Sequence, residues 1–127
     1  EVLAILADPV FAPVFGPNSA AEVPLVAVIP RPDGAGPPLR IAGQIDRMAI
    51  RDDEVLIVDY KTNHAPPRSA ADAPQPYVRQ LALYRAVLAK LYPGRAVRAA
   101  LLWTELPEIM ELSASALDAG LTSVISA

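Results

Sequence analysis

Three features of the sequence predict an α/β fold, a mixed central sheet with an antiparallel hairpin meander flanked by helices. Short β-branched runs recur at residues 22–29, 40–50 and 55–61, with turn residues between them. One long helical pattern, residues 77–92, stops at Pro93-Gly94. An apolar run at 97–104 follows that helix and suits a buried sheet position, so the helix reads as a crossover.

The elements are justified in order. Val2 to Leu6 reads as a short apolar helix, and Asp8-Pro9 as a second helix start with Pro at the first helical position. Phe11, Val14 and Phe15 then give an i, i+3, i+4 stripe. Gly16-Pro17-Asn18-Ser19 is a turn before the first strand, and the stretch from Pro30 to Pro38 is a Pro- and Gly-rich loop. Arg51-Asp52-Asp53-Glu54 closes a hairpin between the second and third strands. Residues 63–76, rich in Pro and Ala, form an irregular connection. On the helix that follows, Tyr77, Leu81, Tyr84, Leu88 and Leu91 make the buried stripe. Residues 108–112 read as a short strand, and Ser113 or Ser115 caps a last helix with Leu117, Leu121, Val124 and Ile125 on one face.

Composition narrows the function. The 127 residues are 53% hydrophobic and 20% charged, which suits one domain and is too apolar for a disordered segment. No run approaches the roughly 18 apolar residues needed to cross a bilayer. The opening Glu1-Val2-Leu3-Ala4 has no initiator Met and no signal-peptide layout, so an excised domain is expected. With no cysteine there is no disulfide, thiolate zinc site, iron–sulfur cluster or cysteine nucleophile. The single histidine, His64, excludes a multi-histidine metal site. Carboxylates, lysine and hydroxyls remain for catalysis. A net charge of −3 lacks the basic footprint of a free-standing nucleic-acid binder, but allows a nuclease that receives its strand from a neighbouring domain.

The informative segment is Gly43-Gln44-Ile45-Asp46-Arg47 followed by Ile57-Val58-Asp59-Tyr60-Lys61-Thr62. Alternation puts Asp59 and Lys61 on one face of their strand. Closing the hairpin with Ile50 opposite Val55 places Asp46 opposite Asp59, and Gln44 opposite Lys61. Two carboxylates across a ladder have Cβ atoms about 4.5–5.5 Å apart and repel each other. Apolar neighbours (Ile45, Met48, Ile57 and Val58) desolvate the pair and worsen that repulsion. A hard divalent cation relieves it: Mg²⁺ takes one or two carboxylates plus waters and phosphate oxygens. Lys61 then stands ready to hold water or stabilise charge on a phosphate. Ordinary salt bridges on a surface hairpin would account for an isolated Asp-x-Lys; here the apolar strand, the second Asp in register and Gly43 coincide.

These residues, G-x-I-D-R, I-V-D-Y-K-T and then Q-L-A-L-Y-R, resemble the nuclease domain of RecB/AddA-type helicase–nucleases in the PD-(D/E)XK superfamily, most closely the C-terminal end of an AddA-type subunit. The resemblance covers roughly residues 20–112 and implies a restriction-endonuclease-like core there, with an N-terminal helical segment over 1–19 and a C-terminal helix over 113–127. It implies Mg²⁺-dependent DNA hydrolysis of exonuclease type, with Mn²⁺ able to substitute. Asp46, Asp59 and the backbone carbonyl of Tyr60 would bind the metal, and Lys61 would be the catalytic lysine. Gln80 would support the metal site or contact DNA, Tyr84 would help place it, and Glu22 would be a supporting residue. Arg79 and Arg85, beside that pair, would meet phosphates or face solvent.

The implied partners are a single DNA strand fed by an ATP-driven helicase, the rest of the helicase chain and a second nuclease subunit, in the bacterial cytoplasm at the nucleoid and away from membranes. No P-loop is present, so no ATP site is expected in this segment. Relatives carry an upstream histidine ligand, and this chain has none before Asp46. His64 and the surface charges Glu105 and Glu108 are expected to be solvated, and Trp103 to lie in the core. The rival readings are a nuclease-fold module that only binds DNA or a partner, and a stand-alone nuclease of the same superfamily.

Overall fold

A computed structural model describes residues 8–31, 36–62, 66–105 and 108–126. Five strands form one sheet in the order β1-β2-β3-β4-β5: β1 (Ser19–Ile29), β2 (Leu39–Ile50), β3 (Glu54–Lys61), β4 (Ala96–Trp103) and β5 (Glu108–Leu112). Helix α1 (Gln75–Leu91) links β3 to β4, and helix α2 (Ala114–Ile125) closes the chain. Pairing is antiparallel except between β3 and β4, which run parallel as a crossover helix requires. This is the mixed, helix-flanked α/β sheet expected from the sequence. The predicted helix at Val2 to Leu6 lies outside the described residues.

Both faces of the sheet are covered, by different means. On one face Leu25, Ile41, Ile45, Val55, Ile57, Ala99, Leu101 and Trp103 pack with α1 and α2 in the main core. On the other, Leu56, Val58, Ala100 and Leu102 meet Phe11 and Val14. The Asp8-Pro9 start and the Phe11–Phe15 stripe therefore do pack inward, but as a 3₁₀ turn, Ala12–Phe15, rather than an α-helix. The Asp8 carboxylate accepts from the N–H groups of Val10 and Phe11 and fixes the entry to that turn. Covered on both sides, β3 is buried from Val55 to Asp59, which explains its unbroken apolar run.

Helix α1 buries more than one stripe. Leu81, Tyr84 and Leu88 belong to the main core as expected, but Leu91 is 62% exposed, a correction to the predicted stripe. The last turn of α1 leaves it in solvent, while Val78, Ala82 and Val87 are buried instead. Gly120 of α2 sits against Val78 and Ala82, and a Cβ there would lie 3.2 Å from the Val78 side chain. The helices thus approach closely through small side chains. Ser113 caps α2, its hydroxyl accepting from the Ala116 N–H at 3.1 Å.

Candidate active site

The hairpin register read from the sequence holds for four pairs, from Ile50↔Val55 to Arg47↔Val58. There the ladder opens. Asp46 and Asp59 are next in line but are not a ladder pair, and Gln44 does not pair with Lys61, so the regular extension of the hairpin is corrected. The cause is a kink shared by β1 and β2. Their pairing passes from Ala21↔Arg47 to Val23↔Ile45 and leaves out Glu22 and Asp46. Glu22 has φ +52°, in the left-handed region, at a cost of about 1–2 kcal/mol for a residue with a Cβ. Ile45 and Met48 both join the main core, although three residues apart on a regular strand they would point to opposite faces.

Released from the ladder, Asp46 uses its side chain where a backbone carbonyl would have served. Its Oδ2 accepts the Tyr60 N–H at 2.7 Å, which ties the kink in β2 to the end of β3. The two aspartates come near one another after all, close enough for the Asp46 carboxylate to push the Asp59 carboxyl upward. They meet through a break in the sheet rather than through regular pairing.

Asp59 is the one buried charged side chain among the described residues, 6% exposed. Burial raises its carboxyl from 3.8 to about 6. Lys61, whose Nζ lies 2.6 Å from Oδ2, pulls the other way, and Asp46 adds to the rise. Beyond that ion contact, Oδ2 has no hydrogen bond of regular geometry. A buried carboxylate whose desolvation its one cationic partner does not offset, with a second carboxylate nearby, fits a hard divalent cation. The carbonyl of Tyr60, between Asp59 and Lys61 in the chain, is a third oxygen of the same segment. Among the described residues no three His, Asp or Glu side chains cluster, so water and substrate oxygens would complete the shell of such an ion.

A line of contacts leads from Asp59 into the helix. Lys61 Nζ donates to Gln80 Oε1 at 3.4 Å, and Gln80 Nε2 donates to the Tyr84 hydroxyl at 3.3 Å. Lys61 Nζ also lies 4.1 Å from the centroid of the Tyr77 ring, within cation–π range. Ion pair, amide and aromatic face leave the ammonium one position. The Tyr84 hydroxyl in turn rests over β2, where a Cβ on Gly43 would run into it and would lie 2.9 Å from the ring Cζ. Gly43 is therefore the floor under Tyr84. Its place in the strand was visible in the sequence as a mid-strand glycine, but neither its partner nor the contact of Tyr77 with Lys61 could be read there.

The remaining candidates lie apart. Glu22 is exposed at the kink, and the described residues form no carboxylate cluster that includes it. Arg85 pairs with Asp118 at 2.7 Å, whereas Arg79 donates to the Ser123 hydroxyl at 3.3 Å. Trp103 is fully buried, with its ring 6.2 Å from that of Tyr77. Glu105 and Glu108 are exposed, and His64 lies outside the described residues.

Comparison with known proteins bears on what this arrangement is. Among solved structures, the crystal structure of SSO0001 is similar at 13% identity and a TM-score of 0.48, over 98% of this chain and 55% of that one. The chain thus spans about half the length of that relative. A search of curated proteins gave no match. The family model for the PD-(D/E)XK nuclease superfamily matches residues 10–119, nearly the whole chain and all of the kinked hairpin with its helix. The chain belongs to the PD-(D/E)XK nuclease superfamily.

Proposed function

We propose that the protein is a Mg²⁺-dependent deoxyribonuclease that hydrolyses phosphodiester bonds at the Asp46–Asp59–Lys61 site. The observation that carries this is Asp59 itself: a buried carboxyl raised to about 6, with the Lys61 ammonium at 2.6 Å and the Asp46 carboxylate near enough to add to the rise. A fold with no use for a cation there gains nothing from this arrangement, because the desolvation of Asp59 outweighs the pull of Lys61. Membership of the superfamily supports nuclease activity on DNA and the use of a divalent metal.

Asp46, Asp59 and the Tyr60 carbonyl would hold the ion, with Mn²⁺ able to replace Mg²⁺. The ion supplies Lewis acidity and neutralises charge at the phosphate. Lys61 keeps its ammonium beside the scissile phosphate and stabilises the negative charge that builds there as water attacks phosphorus. Gln80 fixes the position of Lys61, and Tyr84 fixes Gln80. The finer setting rests on the resemblance to RecB/AddA-type domains. It comprises an exonuclease fed a single strand by an ATP-driven helicase, with a second nuclease subunit, acting in double-strand-break repair at the bacterial nucleoid.

Calorimetric titration with Mn²⁺ and Mg²⁺, beside Asp46→Ala and Asp59→Ala, tests the site. Binding that both substitutions abolish is the expected result. Binding that neither weakens would move the metal elsewhere and end this reading.

A further inference from the structure

The Lys61 ammonium is held by three groups of different chemistry. Asp59 Oδ2 lies 2.6 Å from Nζ, Gln80 Oε1 accepts from it at 3.4 Å, and the centroid of the Tyr77 ring lies 4.1 Å away. The carboxylate is the strongest partner, yet it is also the group proposed to bind a divalent cation. Asp59 cannot give the same oxygen fully to both, and beside such a cation the ammonium is repelled as well. Gln80 alone is a weak tether, since 3.4 Å is at the long end of hydrogen-bond distances. The ring of Tyr77 is uncharged, and its hold on Lys61 does not pass through Asp59.

The ring is built into place from two sides. Tyr77 stands in the first turn of α1, three residues before Gln80, so both side chains reach the end of β3 from one face of the helix. From the sheet, Trp103 lies beside Lys61 in the parallel register, and its fully buried ring stands 6.2 Å from that of Tyr77 at 53°. The same strand end ties down the main chain, where the Thr104 N–H donates to the Lys61 carbonyl at 2.9 Å. The Lys61 side chain is only 17% exposed, and partial desolvation strengthens the attraction of an ammonium to a ring face.

We propose that Tyr77 is a positioning residue for Lys61: its ring face keeps the ammonium at the site when Asp59 is given over to a divalent cation. The proposal rests on the deoxyribonuclease reading and gives a role to a residue which that reading leaves out. An aromatic face suits the task. It attracts the ammonium as a whole and consumes none of its three N–H donors, so one remains for Gln80 and the others for phosphate oxygens. A further carboxylate in its place would take those donors and repel the phosphate.

Ring electrons separate this role from packing against Trp103. The series starts from Tyr77→Phe and continues with mono-, di- and trifluorinated phenylalanine at position 77, which keep the shape and weaken the negative face step by step. In Mg²⁺, kcat should fall about two- to threefold with each fluorine while KM for DNA holds steady, because Lys61 acts on charge that develops in the transition state. Tyr77→Leu should lower kcat about ten- to thirtyfold. A second readout needs no cleavage. Lys61 and Lys90 are the two lysines of the chain, so ¹³C-lysine labelling of Lys90→Arg leaves Lys61 alone in the spectrum. Its ε-methylene protons should be shifted upfield by the ring in chelator, should stay so in saturating Mg²⁺, and should return to their ordinary position when Tyr77→Leu is added. Circular dichroism checks that each variant is folded. A flat fluorine series, a ring shift that is absent, or one that Mg²⁺ abolishes would each overturn the proposal. No Mg²⁺-dependent cleavage by the parent protein, with the ring shift in place, would instead end the nuclease reading and the proposal with it.

Discussion

The two ends of the β2–β3 hairpin are built on opposite principles. At the turn end, four consecutive pairs follow a regular ladder, and the side chains Val55, Leu56, Ile57 and Val58 are fully buried. Charge there stays near solvent, where Arg98 bridges Glu111 at 2.7 Å and reaches Glu54 at 3.7 Å. At the open end the ladder stops, a carboxylate takes over from a backbone acceptor, and a charged group is buried without full compensation. The first region concentrates packed apolar surface, and the second holds the candidate site. The sheet holds the kink in place, and the kink brings Asp46 to Asp59.

Removing the buried carboxylate is the strongest way to break that contrast. Asp59→Ala should lower cleavage by at least about 10³-fold. In chelator the same variant should be as stable as the parent or more so, by about 1–2 kcal/mol after allowing for screening by nearby solvent. Thermal unfolding with and without Mg²⁺ checks this. A marked loss of metal-free stability would make Asp59 a structural residue instead.

Gly43→Ala comes next. The added methyl should drive Tyr84 off its seat at a cost of about 1–3 kcal/mol, and cleavage should fall as Gln80 and Lys61 lose their alignment. Combining it with Tyr84→Phe, which removes the clashing hydroxyl, should recover part of the stability but not the alignment of Gln80. A double-mutant cycle on denaturant midpoints and kcat reads both effects.

The pH dependence sharpens the comparison further. In the metal-free protein Asp59 holds its proton up to about pH 6, whereas in the unfolded chain it releases it near 3.8. The folded state binds more protons in that window, so the contribution of Asp59 to stability falls as pH rises from about 4 to 6 and is flat above. Cation affinity runs the other way, because the ligand must be ionised, and it should decline below about pH 6. Unfolding in chelator and metal titration at matched pH values should show the opposite slopes, and Asp59→Asn should lose the first.

The smallest effect belongs to the regular end. Arg98→Ala removes a half-exposed ion pair and should cost about 1 kcal/mol or less, with cleavage unchanged.

Much of this was legible in the sequence, for reasons that also mark its limits. Ile50 opposite Val55 could be derived because the tight polar turn Arg51-Asp52-Asp53-Glu54 fixes which residues face one another. The continuation to Asp46 opposite Asp59 failed because the kink depends on a left-handed Glu22, a conformation that no glycine or asparagine announces. Leu91 was misplaced because periodicity gives the direction of a side chain but not where the sheet beneath it ends. Val78 and Ala82 were missed since their partner, Gly120, lies on an element whose packing the pattern of α1 does not contain. The grouping of Asp59, Lys61, Gln80 and Tyr84 was anticipated through the resemblance. Its physical reason, the glycine floor under the tyrosine, needed the third dimension.

The parallel pairing of β3 with β4 bears on when the site comes into being. Asp59 stands beside Leu101 and Lys61 beside Trp103, neighbours that meet only after α1 has formed and the chain has crossed back over the sheet. Such distant contacts close slowly, whereas β2 and β3 can zip from their turn within microseconds. A chain emerging from synthesis would therefore own its aspartates early and their helix-borne supports late. Pulse-labelling hydrogen exchange during refolding should find the β3 amides that donate to β2 protected before those that donate to β4. The full grouping of Asp59, Lys61, Gln80 and Tyr84 would then arrive only with the finished fold.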